Sequence, residues 1–207
     1  MNRSAMRVFA CSPRSGGNSD VMAHAFVQGV RAAGGNAEVT NLRDYTVLPC
    51  AACGYCAKEA DADCLLAGRD NAQTLFRQIE EAPLVCLLSP IFFYHLPAQL
   101  KCLIDRAQRY WVRRRRQLGN APDRPPPRRP ALVGLVAARP QGKKLFEGSM
   151  LTLKYFFDLF GIQIMDGCQL AGYDQPDDLA RDDAARMRLH DMGVTAAALA
   201  AEHSGQR

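Results

Sequence analysis

With 207 residues, 48% of them hydrophobic and 23% charged, the chain has ordinary globular composition and enough length for one domain with a sizeable core. The net charge of +5 is modest and its excess is local: seven arginines fall between Arg113 and Arg129, with one aromatic neighbour, Trp111, and no nucleic-acid module, so nucleic-acid binding is not expected. No apolar run reaches the roughly 18 residues of a membrane span, and no apolar leader segment follows Met1 to Met6, so no membrane association is expected and the cytoplasm is the expected location.

Arg7-Val8-Phe9-Ala10-Cys11 reads as a buried strand. The polar, glycine-bearing stretch Ser12-Pro13-Arg14-Ser15-Gly16-Gly17-Asn18-Ser19 follows. A helical pattern runs from Asp20 to Ala33, with Val21, Ala25, Val30 and Ala33 on a recurring face, Asn18 or Ser19 as its expected cap and Gly34-Gly35 as its stop. Ala37 to Leu42 alternates and reads as a second strand. Asp70 to Glu81 reads as a helix with Leu75, Phe76 and Ile79 inward. Leu84 to Leu88 is a continuous apolar run, the pattern of a central strand covered on both faces. Pro97 starts a helix that carries Leu100, Leu103 and Ile104 towards Arg116. Gln117 to Pro130 breaks the pattern, because its five prolines exclude regular helix or central strand. Ala131 to Ala138 reads as a fourth strand, Leu145 to Phe160 as a helix ended by Gly161, Ile162 to Met165 as a fifth strand, and Leu179 to Glu202 as a closing helix.

Strand and helix alternate five times. That predicts an α/β fold in which a parallel sheet carries helices on both faces, as a single domain over residues 1–207. Ligands in such folds bind at the carboxyl ends of the strands. The loops after the first and third strands lie at that edge.

The first of these loops, Ser12-x-Arg14-Ser15-x-x-Asn18-Ser19, places hydroxyls, an amide and one guanidinium at a helix start, where unpaired N–H groups and the dipole favour an anion. It lacks the G-K-[ST] of an ATP loop and the G-x-G-x-x-G of a dinucleotide fold, and it suits one phosphate such as that of FMN. The competing reading is a tight turn with a helix cap and a solvated Arg14. The second loop, Ser89-Pro90-Ile91-Phe92-Phe93-Tyr94-His95-Leu96-Pro97, crowds apolar groups where a ligand is expected, as the wall of a flat ring does; filling core or a dimer contact is the alternative. His95 is a candidate proton donor against the simpler reading of a solvated histidine.

Four of the eight cysteines, Cys50, Cys53, Cys56 and Cys64, fall within fifteen residues at the spacing C-x2-C-x2-C-x7-C. In the cytoplasm cysteines are metal ligands, catalytic groups or packing residues rather than disulfides. Three thiolates from one loop and a fourth with slack to return suit a single [4Fe–4S] cluster. Structural zinc also accepts four thiolates, although its sites more often pair two separate C-x2-C knuckles, and a loop holding no metal remains a third reading. Cys11, Cys86, Cys102 and Cys168 stand singly in apolar elements and read as small buried hydrophobes.

Ser12-Pro13-Arg14 with Asn18-Ser19, the Cys50 to Cys64 cluster, and Ser89-Pro90-Ile91-Phe92-Phe93 followed by Gln99-Leu100-Lys101 and Ile104-Asp105-Arg106 together resemble the flavodoxin-like NAD(P)H-dependent FMN reductase superfamily, and the cysteine spacing is most similar to its iron-sulfur flavoprotein branch. The resemblance covers about residues 6–111 by motif. It implies a three-layer flavodoxin-like fold with strand order 2-1-3-4-5 and non-covalent FMN. It implies that Ser12, Arg14, Ser15, Asn18 and Ser19 hold the phosphate and that Pro90, Ile91, Phe92 and Phe93 line the ring. The family's third flavin loop, often glycine-rich, corresponds here to Ala138-Arg139-Pro140-Gln141-Gly142-Lys143-Lys144, which makes Arg139 a candidate contact. Homodimers or homotetramers are implied as well.

Within this chain the cysteine-rich loop at 49–64 and a Pro/Arg-rich insertion at about 113–130 are the departures from a plain flavodoxin. Arg113 to Arg116 read as a solvated helix end; contact with an acidic redox partner or with the extra phosphate of NADPH are the alternatives, and Arg109, Tyr110 and Trp111 are candidates for a subunit interface. The expected function is electron transfer between a reduced donor (NAD(P)H or a redox partner protein), a [4Fe–4S] cluster and FMN placed beside it, with no side chain needed as a nucleophile. Two further readings stand: an NAD(P)H-dependent FMN or quinone reductase without a cluster, and a non-enzymatic binding protein stapled by zinc.

Overall fold

The structure is a computed structural model and describes residues 5–59, 63–117 and 128–204. Five strands, β1 (Met6–Ala10), β2 (Ala37–Asn41), β3 (Val85–Pro90), β4 (Arg129–Ala137) and β5 (Ile162–Ala171), form one parallel sheet in the order β2-β1-β3-β4-β5. The helices, in chain order, are α1 (Asn18–Ala32), α2 (Tyr55–Lys58), α3 (Ala72–Glu81), α4 (Ala98–Arg106), α5 (Gln108–Gln117), α6 (Glu147–Asp158), α7 (Asp178–Arg181) and α8 (Asp183–Ser204). This is the three-layer flavodoxin-like architecture expected from the sequence. Among the described residues no helix is long and apolar enough to cross a membrane.

The period-two alternation of strand side chains divides the core. Val8, Ala10, Cys86, Leu88, Leu132 and Val136 face α1 and α8. Phe9, Val85, Leu87, Val133 and Leu135 face α3, α4 and α6. Cys11, Cys86 and Cys168 are buried among these residues, as expected, whereas Cys102 is half-buried. Burial pushes the thiols of Cys11 and Cys86 far up, so both remain protonated packing groups.

Several boundaries differ from the sequence expectation. The helix begun at Pro97 is two helices. They join at a tight turn in which the Ala107 N–H bonds Ile104 O and the Tyr110 N–H bonds Ala107 O. Neither glycine nor proline marks this joint, so the periodicity does not show it. β5 runs to Ala171 rather than stopping at Met165, because Met165 is an extra residue opposite the Ala131/Leu132 step and the ladder resumes at Asp166. Gly167 is required there, since a Cβ would meet the Val133 carbonyl oxygen at 2.4 Å. β4 begins at Arg129 and includes Pro130, whose missing N–H falls before the pairing with β3 starts at Ala131. The rest of the proline-rich break, residues 118–127, lies outside the described residues.

α1 and α8 approach backbone to backbone. A Cβ on Gly29 would lie 1.9 Å from the His190 carbonyl oxygen, and one on Gly193 would lie 2.1 Å from that of Phe26. Gly29→Ala gains up to about 1 kcal/mol of helix propensity but forces the pair apart, and overpacking of this kind costs about 1–3 kcal/mol. A lowered urea midpoint is expected; an unchanged or raised midpoint would mean that the helices do not touch there.

Candidate functional site

At the carboxyl edge of the sheet a cavity of about 280 Å³ lies between Ser12, Arg14 and Ser19 of the first loop, Pro90, Ile91 and Phe92 of the second, and Tyr173 and Asp174. α1 starts at Asn18, so neither Asn18 nor Ser19 is its cap. Gly17 holds that position in extended conformation, and among the described residues no side chain caps the helix. The Gly16 N–H donates to Asp20 Oδ2 (2.7 Å), and Asp20 pairs with Arg43 (2.8 Å). The Ser12 hydroxyl accepts the Arg14 N–H (3.1 Å). Arg14 folds back over Gly17, where a Cβ would meet its Nε at 3.1 Å. Ser19 Oγ is buried and, among the described residues, has no hydrogen-bond partner. An uncapped helix start with an orphaned hydroxyl is a place where an anion satisfies groups that the protein leaves open.

Asn18 lines the same cavity, and its side chain is engaged within the protein. Its amide donates to the carbonyls of Tyr173 (3.2 Å) and Gln175 (2.9 Å), and its oxygen accepts the Leu179 N–H (3.1 Å). The side chain thus pins the segment after β5 against the cavity. Tyr173 and Asp174 do not stand out in the sequence, because the fifth strand runs six residues past Met165, where its apolar pattern stops. Ser15 is exposed and, like Phe93, does not line the cavity.

The aromatic loop closes as a tight turn. Phe92 and His95 exchange both backbone hydrogen bonds (2.8 and 2.9 Å), while Phe93 and Tyr94 adopt φ of 50° and 63°. Two successive bulky residues in the left-handed region are strained, and such strain clusters at ligand sites. Phe93 is fully exposed. Arg139 of the third loop donates to the Tyr94 hydroxyl (3.2 Å) and lies 5.9 Å from that ring's centroid. Gly142 packs beside the same hydroxyl, which a Cβ there would meet at 2.7 Å. His95 Nε2 lies 3.2 Å from the Thr152 hydroxyl on α6, a bond that fixes the turn.

The cysteine loop has a closed neck. Thr46 and Asn71 bond each other twice, backbone N–H to side-chain oxygen and backbone N–H to carbonyl, each at 2.8 Å. The Leu48 N–H donates to Asp70 Oδ2 (2.8 Å), and Arg106 donates both to that oxygen (2.5 Å) and to the Leu48 carbonyl (3.1 Å). The ion pair is dry, with side-chain exposures of 3% for Arg106 and 0% for Asp70.

Beyond this neck a cavity of about 620 Å³ is lined by all four of Cys50, Cys53, Cys56 and Cys64, together with Arg106, Arg109 and Trp111. Ala52 (φ 49°) and Gly54 (φ 69°) curl the chain between the first and third cysteines. The Cys56 thiol is pushed up, first by burial and also by the neighbouring Cys50, Cys53 and Cys64. Among the described residues no three His, Cys, Asp or Glu side chains converge as a ready single-ion site.

The basic segment is not simply solvated. Arg109 donates to Asp63 (2.7 Å) and Gln73 (2.9 Å), and Arg116 to the Ala57 carbonyl (2.9 Å). Arg114 bonds Asp158 (3.0 Å), and Arg115 stacks on Trp111 (5.0 Å). Arg109 and Tyr110, expected at a subunit interface, are buried in the protomer, with Tyr110 against Phe76 (5.1 Å) and Phe160 (4.6 Å); Trp111 stays half-exposed. The cysteine cavity and the first one share no lining residue. α4 follows the aromatic turn, its last residues line the cysteine cavity, and its nine residues span about 13 Å.

A family model described as NADPH-dependent FMN reductase matches residues 6–170. An iron-sulfur flavoprotein of Archaeoglobus fulgidus is 32% identical over 99 residues, 48% of this chain and 43% of that protein. One of Methanocaldococcus jannaschii is 29% identical over 97 residues, 47% of this chain and 48% of that protein. The chain thus spans a little under half the length of the curated relatives it matches. Among solved structures, an FMN-dependent NADH-azoreductase of Bacillus anthracis in complex with FMN superposes with a TM-score of 0.64 at 14% identity, covering 93% of this chain and 99% of that one, a likeness of fold.

Two predictions follow from this geometry. Ser19→Ala is expected to weaken FMN binding about tenfold in a fluorescence titration, the scale of one hydrogen bond to a charged group, and to leave riboflavin binding unchanged. Equal losses for both would move Ser19 away from the phosphate. Arg106→Met leaves Asp70 buried and unpaired, at a cost of about 3–5 kcal/mol. Chemical unfolding should show that loss, and Asp70→Asn in the same chain should restore a large part of it. A double variant no more stable than the single one would contradict the pairing.

Proposed function

Because the chain belongs to the NADPH-dependent FMN reductase family, we propose that it is an FMN-dependent oxidoreductase of the iron-sulfur flavoprotein type, passing electrons between a reduced donor, a [4Fe–4S] cluster and FMN. The observation that carries this reading is that all four clustered cysteines line one cavity behind a closed neck. Likeness to the two iron-sulfur flavoproteins supports it. When bound, FMN exchanges two electrons at once or singly, and the cluster exchanges one.

The residues present fit both groups. Cys50, Cys53, Cys56 and Cys64 are the thiolate ligands in this reading. Ser12, Arg14, Ser19 and the open N–H groups of α1 receive the phosphate, and Asn18 holds Tyr173 and Asp174 as the far wall. Pro90, Ile91 and Phe92 offer the ring an apolar face, with Arg139 bracing Tyr94 behind it. Among the described residues no backbone carbonyl accepts the N–H of Phe93 or Tyr94, which leaves donors at the turn for a ring edge that gains negative charge on reduction. The exposed Phe93 suits burial against a second copy in a homodimer or homotetramer. NAD(P)H or a redox protein supplies the electrons, in the cytoplasm.

Anaerobic purification followed by absorption spectroscopy and analysis of flavin, iron and sulfide tests this reading. The expected outcome is FMN with about four iron and four sulfide per chain, the metal being lost when any of the four cysteines becomes serine. FMN with steady NAD(P)H oxidation but no iron would replace the proposal with the plain reductase. A colourless protein holding stoichiometric zinc would replace it with the stapled binding protein.

A further inference from the structure

The cysteine cavity has three guanidiniums in its wall: Arg69 is exposed, whereas Arg106 and Arg109 are buried, and these two are not equivalent. Arg106 is neutralised by a carboxylate as dry as itself, with Asp70 at 0% side-chain exposure. Arg109 is equally buried, at 6%, but its carboxylate partner Asp63 is 62% exposed and its other partner, Gln73, is neutral. Solvent screens an exposed carboxylate, so it offsets a buried cation only in part. The Nε of both Arg106 and Arg109 is buried and, among the described residues, unbonded, so the two differ in how exposed their carboxylate partners are. Burying a charge with an open N–H is costly unless something anionic meets it. The same wall carries four cysteines, and its carboxylate, Asp105, is paired with Lys101 (2.6 Å).

We propose that Arg109 is the resident counter-charge of the cysteine cavity, offsetting the negative charge that four thiolates and their inorganic cluster bring into the fold. The proposal rests on the [4Fe–4S] reading given above. A thiolate-bound cluster is anionic and becomes more so by one charge when it accepts one electron. A buried cation beside it therefore favours the reduced form over the oxidised one and raises the reduction potential. Arg109 has a second effect through the same contact: by holding Asp63 it positions the limb of the loop that carries Cys64. It acts on the cluster as a positioning and charge-setting residue, without entering the metal's ligand set.

The test uses the holoprotein, reconstituted anaerobically and titrated with dithionite while electron paramagnetic resonance follows the cluster. Arg109→Gln is expected to keep its FMN and lower the cluster's one-electron reduction equilibrium about tenfold, a shift of about 59 mV to more negative potential. Arg109→Lys, which keeps the charge but not the fork, should recover most of the shift. Asp63→Asn removes the opposing charge at an exposed position and should move the potential the other way; it keeps the proposal open to refutation if Arg109→Gln does not fold. A loaded protein whose potential ignores both the Gln and the Asn substitutions overturns the proposal alone, as does a Lys variant as low as the Gln variant. A wild-type protein that takes up no iron or sulfide overturns the cluster reading and the proposal with it.

Discussion

The buried pair between Asp70 and Arg106 joins three things that the chain keeps apart: the entry to the cysteine loop at Leu48, its exit at Asp70, and the end of α4. A dry ion pair is poor evidence of net stability, because desolvating both charges offsets most of their attraction. Its value here is in register. Asp70 and Arg106 can be buried only together, and the Leu48 N–H and carbonyl and the Ala72 N–H are their further partners. The neck therefore closes in one way. Arg109 and Arg116 hold the loop at two further points, Asp63 and Ala57. A stretch rich in alanine and cysteine has little apolar surface with which to order itself; the α4–α5 arginines do that from outside.

The same helix sets the spacing of the two candidate sites. α4 leaves the strained Phe93-Tyr94 turn and ends at the cysteine cavity, so the sheet edge and the thiolate loop share one rigid strut without sharing a wall. On the sheet side the open groups are an uncapped helix start, the orphaned Ser19 hydroxyl and the turn N–H groups. On the loop side they are four thiols and one imperfectly neutralised guanidinium. Each set is incomplete in the sense its occupant would complete: donors for a phosphate, and a cation for an anionic cluster.

Much of this was legible in the chain. Five alternations of strand and helix specify a parallel sheet, and the first and third strand ends name the loops at its ligand edge. The cysteine spacing identifies its four residues without help from the fold. What was not legible depends on contacts between residues far apart. Arg113 to Arg116 look solvated in sequence, and Arg109 looks like an interface residue, because their partners, Asp63, Gln73, Ala57 and Asp158, come from three other segments. Tyr173 and Asp174 were hidden behind a bulge at Met165 and Gly167, residues that read locally as a strand's end. The joint at Ala107 carries no breaker residue, and it follows from Arg106 and Arg109 both turning inward.

If the neck is what preforms the thiolate site, it must hold before any metal arrives. Hydrogen exchange at the Leu48 and Asn71 amides, measured in protein stripped of iron and flavin, asks this directly. Protection matching that of the central strands β1 and β3 is the expected result. Exchange at the rate of an open chain until iron and sulfide are added would show that the metal builds the loop and that the ion pair follows.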